Sequence, residues 1–204
     1  GNRWVSPFRL PSRRLIFTLS GLFSIDNFAS GLMAPTLVSY WFFIKFGMGL
    51  APLGSIFAAS NIITATSFWV SAKLSNRIGM LNTMVFPHGF AALMLISLPF
   101  LTWAWLAVLA FEARSFFGQM DIPPRDSYIM AIVSSTERTA MASMFSISRT
   151  TMQSASPSVA TALWSTVSST IPFVGSGALR LVYDIALYKM FRHVKPHDGD
   201  QRAP

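Results

Sequence analysis

Residues 78–111 read IGMLNTMVFPHGFAALMLISLPFLTWAWLAVLAF, without a single Asp, Glu, Lys or Arg. About 20 apolar residues cross a bilayer core of about 30 Å as a helix, so this stretch is too long for one crossing. Ser97, Pro99 and Thr102 divide it into two spans joined by a tight turn, a helical hairpin in lipid. Outward from it, residues 46–72 and 150–179 are further charge-free runs of spanning length.

The composition agrees with a membrane protein. Of 204 residues, 52% are hydrophobic and only 12% charged, about half the charged share of a soluble domain. Having no cysteine, the chain has no disulfide, iron–sulfur cluster or thiolate metal site, and His88, His193 and His197 lack zinc-ligand spacing. No cofactor and no metal are expected. A net charge of +8 would suit nucleic acid, but the basic residues fall between apolar stretches and at the two ends, where they orient a membrane protein. Nucleic acid is therefore not an expected partner. There is no G-x-S-x-G elbow, no H-E-x-x-H helix and no P-loop, so neither an enzyme nor ATP use is expected.

Six spans follow from the pattern. The first covers residues 15–43, and the second begins after Pro52 and ends near Leu74, before a polar connection at residues 73–79. The hairpin supplies the third and fourth, the latter ending near Met120. A polar connection through Asp121, Pro123, Pro124, Arg125 and Asp126 comes next, and a capping-box pair, Ser134 and Glu137, opens the fifth span, which ends near Trp164. Ser, Thr and Pro dominate residues 165–172, and the sixth span covers residues 173–191. The chain thus divides into a basic cytoplasmic lead-in (1–14), a six-helix bundle (15–191) and a polar tail (192–204).

Lys and Arg counts set the orientation. The lead-in, the second-to-third connection (Lys73, Arg77), the fourth-to-fifth connection (Arg125, Arg138) and the tail are basic, whereas the opposite loops hold only Lys45. Both termini are expected in the cytoplasm of a cell with a plasma or inner membrane. Tyr40, Trp41, Trp103, Trp105 and Trp164 then fall at the outer interface, where amphipathic rings settle.

Three segments resemble a known family. Residues 119–133, QMDIPPRDSYIMAIV, with Thr136-Glu-Arg-Thr139, resemble the connection before the eleventh helix of a major facilitator superfamily transporter. Asp26-Asn-Phe-Ala-Ser-Gly31 through Tyr40-Trp-Phe42 resembles the seventh helix in a prokaryotic branch whose substrates are largely uncharacterised. Ala72-Lys-Leu74-Ser-Asn76-Arg77-Ile-Gly79 resembles a decayed G-x-L-a-D-R-x-G loop motif, in which Leu74, Arg77 and Gly79 fit. Ala72 stands for the glycine, Asn76 for the acid and Met80 for a basic residue, which puts any gating charge there in doubt. The resemblance implies the carboxyl-terminal half of a twelve-helix transporter, two inverted three-helix repeats, with the substrate route running between this bundle and an amino-terminal one or a second copy. It also implies alternating access driven by protons. Arg114-Ser-Phe-Phe-Gly118 resembles the arginine–glycine spacing of the fourth-helix motif, carried on its repeat counterpart.

Ionisable groups inside the spans need an explanation, since each costs at least about 2.5 kcal/mol near the bilayer centre. Asp26 lies roughly 16 Å along the first span from Leu15, and Arg149 equally far from Arg138. Equal depth permits a pair, with Asp26 as the acid that titrates or binds substrate, or else a permanent structural bridge. Glu112 and Arg114 are two apart on one helix and point about 200° away from each other. They sit about 12 and 9 Å from a span end at Met120. Arg180 and Asp184 are four apart and are expected to neutralise each other on one helix face. His88 either relays protons or is hydrogen-bonded scaffold. Gly31 and Pro35 mark a discontinuous first span, and Pro157, after Ser154-Ala-Ser156, a close-packing surface. Eleven methionines and eighteen phenylalanines suit a greasy pocket or simply lipid.

The function expected is secondary active transport of a small organic solute, first as proton-coupled efflux of a lipophilic or cationic compound. Uptake of a metabolite and a non-transporting membrane scaffold or assembly subunit are the alternatives. Truncated from its other half, the chain is expected to aggregate or dimerise, because polar faces would meet lipid.

Overall fold

The computed structural model describes residues 13–132 and 137–193. Residues 1–12 of the lead-in, residues 194–204 of the tail with Lys195, His197 and Arg202, and the capping serine Ser134 lie outside the described residues, while Arg13 and Arg14 of the lead-in belong to α1. Those described form α-helices α1 (Arg13–Leu32), α2 (Pro35–Phe46), α3 (Leu50–Ile78), α4 (Met80–Ser97), α5 (Ala104–Phe117), α6 (Ile122–Ile132), α7 (Arg138–Thr166) and α8 (Ile171–Phe191), with a 3-10 turn at Leu98–Phe100. No strand occurs among them. Three segments are long and apolar enough to cross a membrane: Arg14–Phe46, Leu50–Ile78 and Met80–Phe100.

Backbone chemistry places the breaks. Pro35 has no N–H to donate and occupies the first turn of α2, where none is needed, so the first span is two helices interrupted at Met33 and Ala34. The expected polar connection at residues 73–79 is mostly helix. Helix α3 carries Leu74 and Arg77 on to Ile78, and Gly79 alone turns the chain at φ 87°, a conformation that only glycine adopts cheaply. Ser97, Pro99 and Thr102 do break the long apolar run, as the 3-10 turn before α5.

The expected connection at residues 121–126 is instead the start of α6. Pro123 and Pro124 fall in its first turn, whose N–H groups lack intrahelical acceptors, so both are tolerated. The Asp121 carbonyl accepts the Arg125 N–H at 2.9 Å to close that turn. Polar composition alone does not exclude a helix whose first turn carries two prolines. Helix α6 packs on α4 and α3, and the Met120 carbonyl accepts from Ser71 Oγ. Helix α5 ends at Phe117, so Arg114 lies in its last turn and Glu112 just before it, closer to a helix end than a span ending at Met120 would place them.

Helices α4 and α8 pack against each other at the centre. Helix α1 lies on α8 and α7, while α5 and α6 lie on α4, and α3 on α5. Gly31 makes the α1–α7 approach possible, since a Cβ there would collide with Ser156 on α7. Ser24 and Ser148 share a 2.6 Å hydrogen bond along the same seam, and Ser176 Oγ on α8 donates to the Ala29 carbonyl at 2.6 Å. Small and hydroxylic residues at helix contacts are how helices associate where lipid removes the hydrophobic drive. Ser156 beside Pro157 thus serves a contact inside this bundle.

Gly31→Val should cost about 1–3 kcal/mol, because the added volume must push two helices apart. Gly175→Ala on α8, where a Cβ meets nothing within 4 Å, should be neutral. Thermal unfolding in mild detergent checks both, and a Gly31→Val protein melting with the parent would contradict the close contact.

Two apolar clusters fill the bundle at different levels. One gathers Ile16, Leu19, Phe23, Met84, Tyr183 and Leu187; the other gathers Leu32, Phe42, Leu95, Leu98, Phe111 and Phe173. Outward faces are apolar as well: Phe86 and Leu93 on α4 and Val182 and Ile185 on α8 are exposed. Trp103 and Trp105 are exposed near the α4–α5 turn, with ring centroids 5.9 Å apart, and Tyr40 meets Trp164 at 5.7 Å. Trp41 departs from the interfacial expectation, being buried against Phe173.

Candidate functional site

Between the two apolar clusters lies a polar layer. Asp26 on α1, His88 on α4, Arg180 and Asp184 on α8 and Asp121 before α6 are all buried. Every one of the first four sits within about one and a half helical turns of its segment's middle. Four elements contribute, so no local stretch of sequence contains the site.

His88 is its hub, 1% exposed. Its Nδ1 is 2.9 Å from Asp184 Oδ1. Its Nε2 is 3.4 Å from Asp26 Oδ1 and 3.2 Å from Arg180 Nη1. Arg180 also donates through Nη2 to Ser30 Oγ at 2.7 Å, and its Nε stands 4.0 Å from Asp26 Oδ1. Arg125 reaches in from α6, with Nη1 3.1 Å from Asp121 Oδ2 and 3.8 Å from Asp26 Oδ2.

The expected pairings are rearranged. Asp26 pairs with His88, Arg125 and Arg180, not with Arg149, whose depth alone had suggested it; helix rotation, invisible to depth, decides. Arg180 and Asp184 do not neutralise each other directly. They bind opposite nitrogens of the His88 ring, because α4 inserts the imidazole between them. Glu112 points away to α3, where Ser60 Oγ donates to both its oxygens at 3.0 and 2.9 Å. Arg114, on the other side of α5 as its spacing requires, faces the polar space.

That space is a cavity of about 600 Å³. Asp26, His88, Arg114, Arg125, Arg149 and Arg180 all line it, so Asp26 and Arg149 border one polar space without pairing. Its walls are α1 and α7 on one side and α3, α5 and α6 on the other, with α4 and α8 behind. Met33 and Pro35 at the α1–α2 break and Gln153 on α7 line it too. The helix break expected at Pro157 is not seen: α7 runs through it, losing only the N–H that would meet the carbonyl of Gln153, four residues earlier. Asn61 on α3 and Ser146 and Arg149 on α7 are exposed at its edge. Leu74, Arg77 and Gly79 are not among its lining residues.

Ring chemistry makes His88 a two-position element. Arginine only donates, so the 3.2 Å approach of Arg180 Nη1 requires a lone pair on Nε2, with the proton on Nδ1 donated to the Asp184 carboxylate. A proton added at Nε2 turns that nitrogen into a donor. Arg180 must then withdraw, and the new N–H faces Asp26 Oδ1, an atom buried without a hydrogen bond from the protein. One proton thereby exchanges an α8–α4 tie for an α4–α1 tie.

Asp26, His88 and Asp121 also offer ligand atoms within 4.8 Å of one another. The Arg125 guanidinium beside both carboxylates supplies the positive charge there. Asp121 and Arg125 were placed in a loop by the sequence and so were missed. The available signal was an aspartate and an arginine four apart, spaced for one helix face.

No protein-family model matches this chain, and a comparison with curated proteins finds no match. Fold and site together define an all-helical protein with apolar outer faces and a charged, cavity-lining layer at mid-depth.

Proposed function

We propose that the chain forms six membrane spans with both termini in the cytoplasm and serves as one half of a secondary transporter resembling the major facilitator superfamily, moving a small organic solute by proton-coupled alternating access. The observation that carries this reading is the His88 ring, poised between Arg180 and Asp26 beside a cavity. In this reading α1–α2, α3, α4, α5–α6, α7 and α8 are the six rods. Exposed Asn61, Ser146 and Arg149 at mid-depth call for water and a facing bundle rather than lipid, whether a further six-helix half or a second copy.

Transport follows from a bistable tie between helices. With Nε2 unprotonated, Arg180 binds the imidazole and Ser30; with Nε2 protonated, His88 turns to Asp26 and Arg180 is freed. The α1–α7 wall and the α4–α8 backing are thus joined differently in the two proton states, and a solute favouring one arrangement shifts the equilibrium. Efflux remains the direction proposed.

The test uses the intact gene product in proteoliposomes with a pH-sensitive dye inside, challenged with small organic cations, anions and neutral solutes. Asp26→Asn is expected to lower proton-coupled flux by about tenfold or more, the effect of ~1.4 kcal/mol on a barrier, at unchanged protein yield. Proton-linked flux that survives the substitution, or that no solute elicits from the parent, would sink the reading and favour a scaffold.

A further inference from the structure

The arginines of the cavity outnumber the acids left to meet them. Arg114, Arg125, Arg149 and Arg180 line it, with Asp26, Asp121 and Asp126. Arg125 is held by Asp121 and Asp26, and Arg180 by Asp26, His88 and Ser30. Arg114 and Arg149 make no ion pair among the described residues. Arg114 Nε is buried without a hydrogen-bond partner from the protein, its guanidinium carbon 5.7 Å from the Phe111 ring centre.

Their placement is as telling as their lack of partners. Arg114 stands in the last turn of α5 and Arg149 within α7, and both line the mid-depth cavity. A guanidinium at that depth is tolerated where something negative or watery meets it. Asn61, Gln153 and Ser115 lie in the same lining and add hydrogen-bonding capacity. A cation would meet only Asp126, exposed at the lining, since Asp26 and Asp121 already face His88, Arg180 and Arg125.

We infer that the solute is a small organic anion whose carboxylate or phosphate group is clamped between Arg114 and Arg149. Guanidinium forks match both groups bidentately, which a lysine does not reproduce. The inference rests on the transport reading and replaces the lipophilic cation as first choice, because the mid-depth acid is surrounded by cations.

Binding of radiolabelled succinate and of inorganic phosphate to the detergent-purified intact protein tests it, with tetraphenylphosphonium as the cationic probe. Saturable binding of either anion is expected, succinate marking a carboxylate site and phosphate a phosphate site. Arg114→Gln and Arg149→Gln should each weaken it by about tenfold or more, the scale of a lost charge-assisted hydrogen bond. The lysine variants should retain part of the affinity, and gel filtration should show all four variants eluting with the parent. Anion binding untouched by both glutamine variants overturns the clamp. Failure of both anions to bind, with proton-coupled flux of another solute or of tetraphenylphosphonium intact, overturns the anion class and leaves transport standing. Anion binding without flux of any solute does the reverse.

Discussion

Arg180→Met should cost about 3–5 kcal/mol, the scale of removing one partner from a buried ion pair, and yield little folded protein. Arg180 is 3% exposed and serves His88, Ser30 and Asp26 together. Methionine fills much of the space but leaves Asp26 buried with one cation fewer, and burying a carboxylate without its partners is what makes such losses large. Adding Asp26→Asn to Arg180→Met should restore part of the stability, because the unbalanced charge leaves with the carboxylate. Denaturant unfolding of the two single variants and the double variant in detergent measures the coupling, expected at about 1–3 kcal/mol. Strictly additive losses would mean that the two groups do not sense each other.

His88→Gln should uncouple the protein from protons. Glutamine offers a donor and an acceptor of similar reach, so one contact to Asp184 and one to Arg180 can persist, yet no proton can convert the acceptor into a donor. Solute exchange down its own gradient should continue, while flux driven by an imposed proton gradient falls by about tenfold or more. His88→Leu differs in kind, since it leaves Asp184 and Arg180 without their shared partner and should lose folded protein. Counterflow and gradient-driven flux in the same proteoliposomes separate the two effects. Undiminished proton-driven flux in His88→Gln would remove the imidazole from the coupling step.

Much of the helical framework was legible because it follows from local rules. Charge-free length marks the apolar helices Leu50–Ile78 and Met80–Phe100, and Ser97, Pro99 and Thr102 mark the break that follows α4. The errors share a physical origin. Asp121, Pro123, Pro124 and Arg125 read as a loop because polarity was weighed above position, although two prolines in a first turn cost a helix nothing. Of the site, Asp26, His88, Arg114 and Arg149 stand out in the sequence because charge in hydrocarbon must be accommodated, and all four line the cavity. Their partners were not, since partnership depends on how each helix is rotated.

By itself, the sequence determined an all-helical protein with stretches long and apolar enough to cross a membrane and a few ionisable groups within them, because hydrophobic length and the cost of buried charge are properties of the chain in order. Tertiary structure decided that His88, not Arg149, faces Asp26, that Asp184 and Arg180 meet through the imidazole, and that Arg114 and Arg149 line a cavity without an ion pair among the described residues. Those relations join residues far apart along the chain, and they are set by packing: Gly31 lets α1 approach α7, and α4 inserts its ring beside α8.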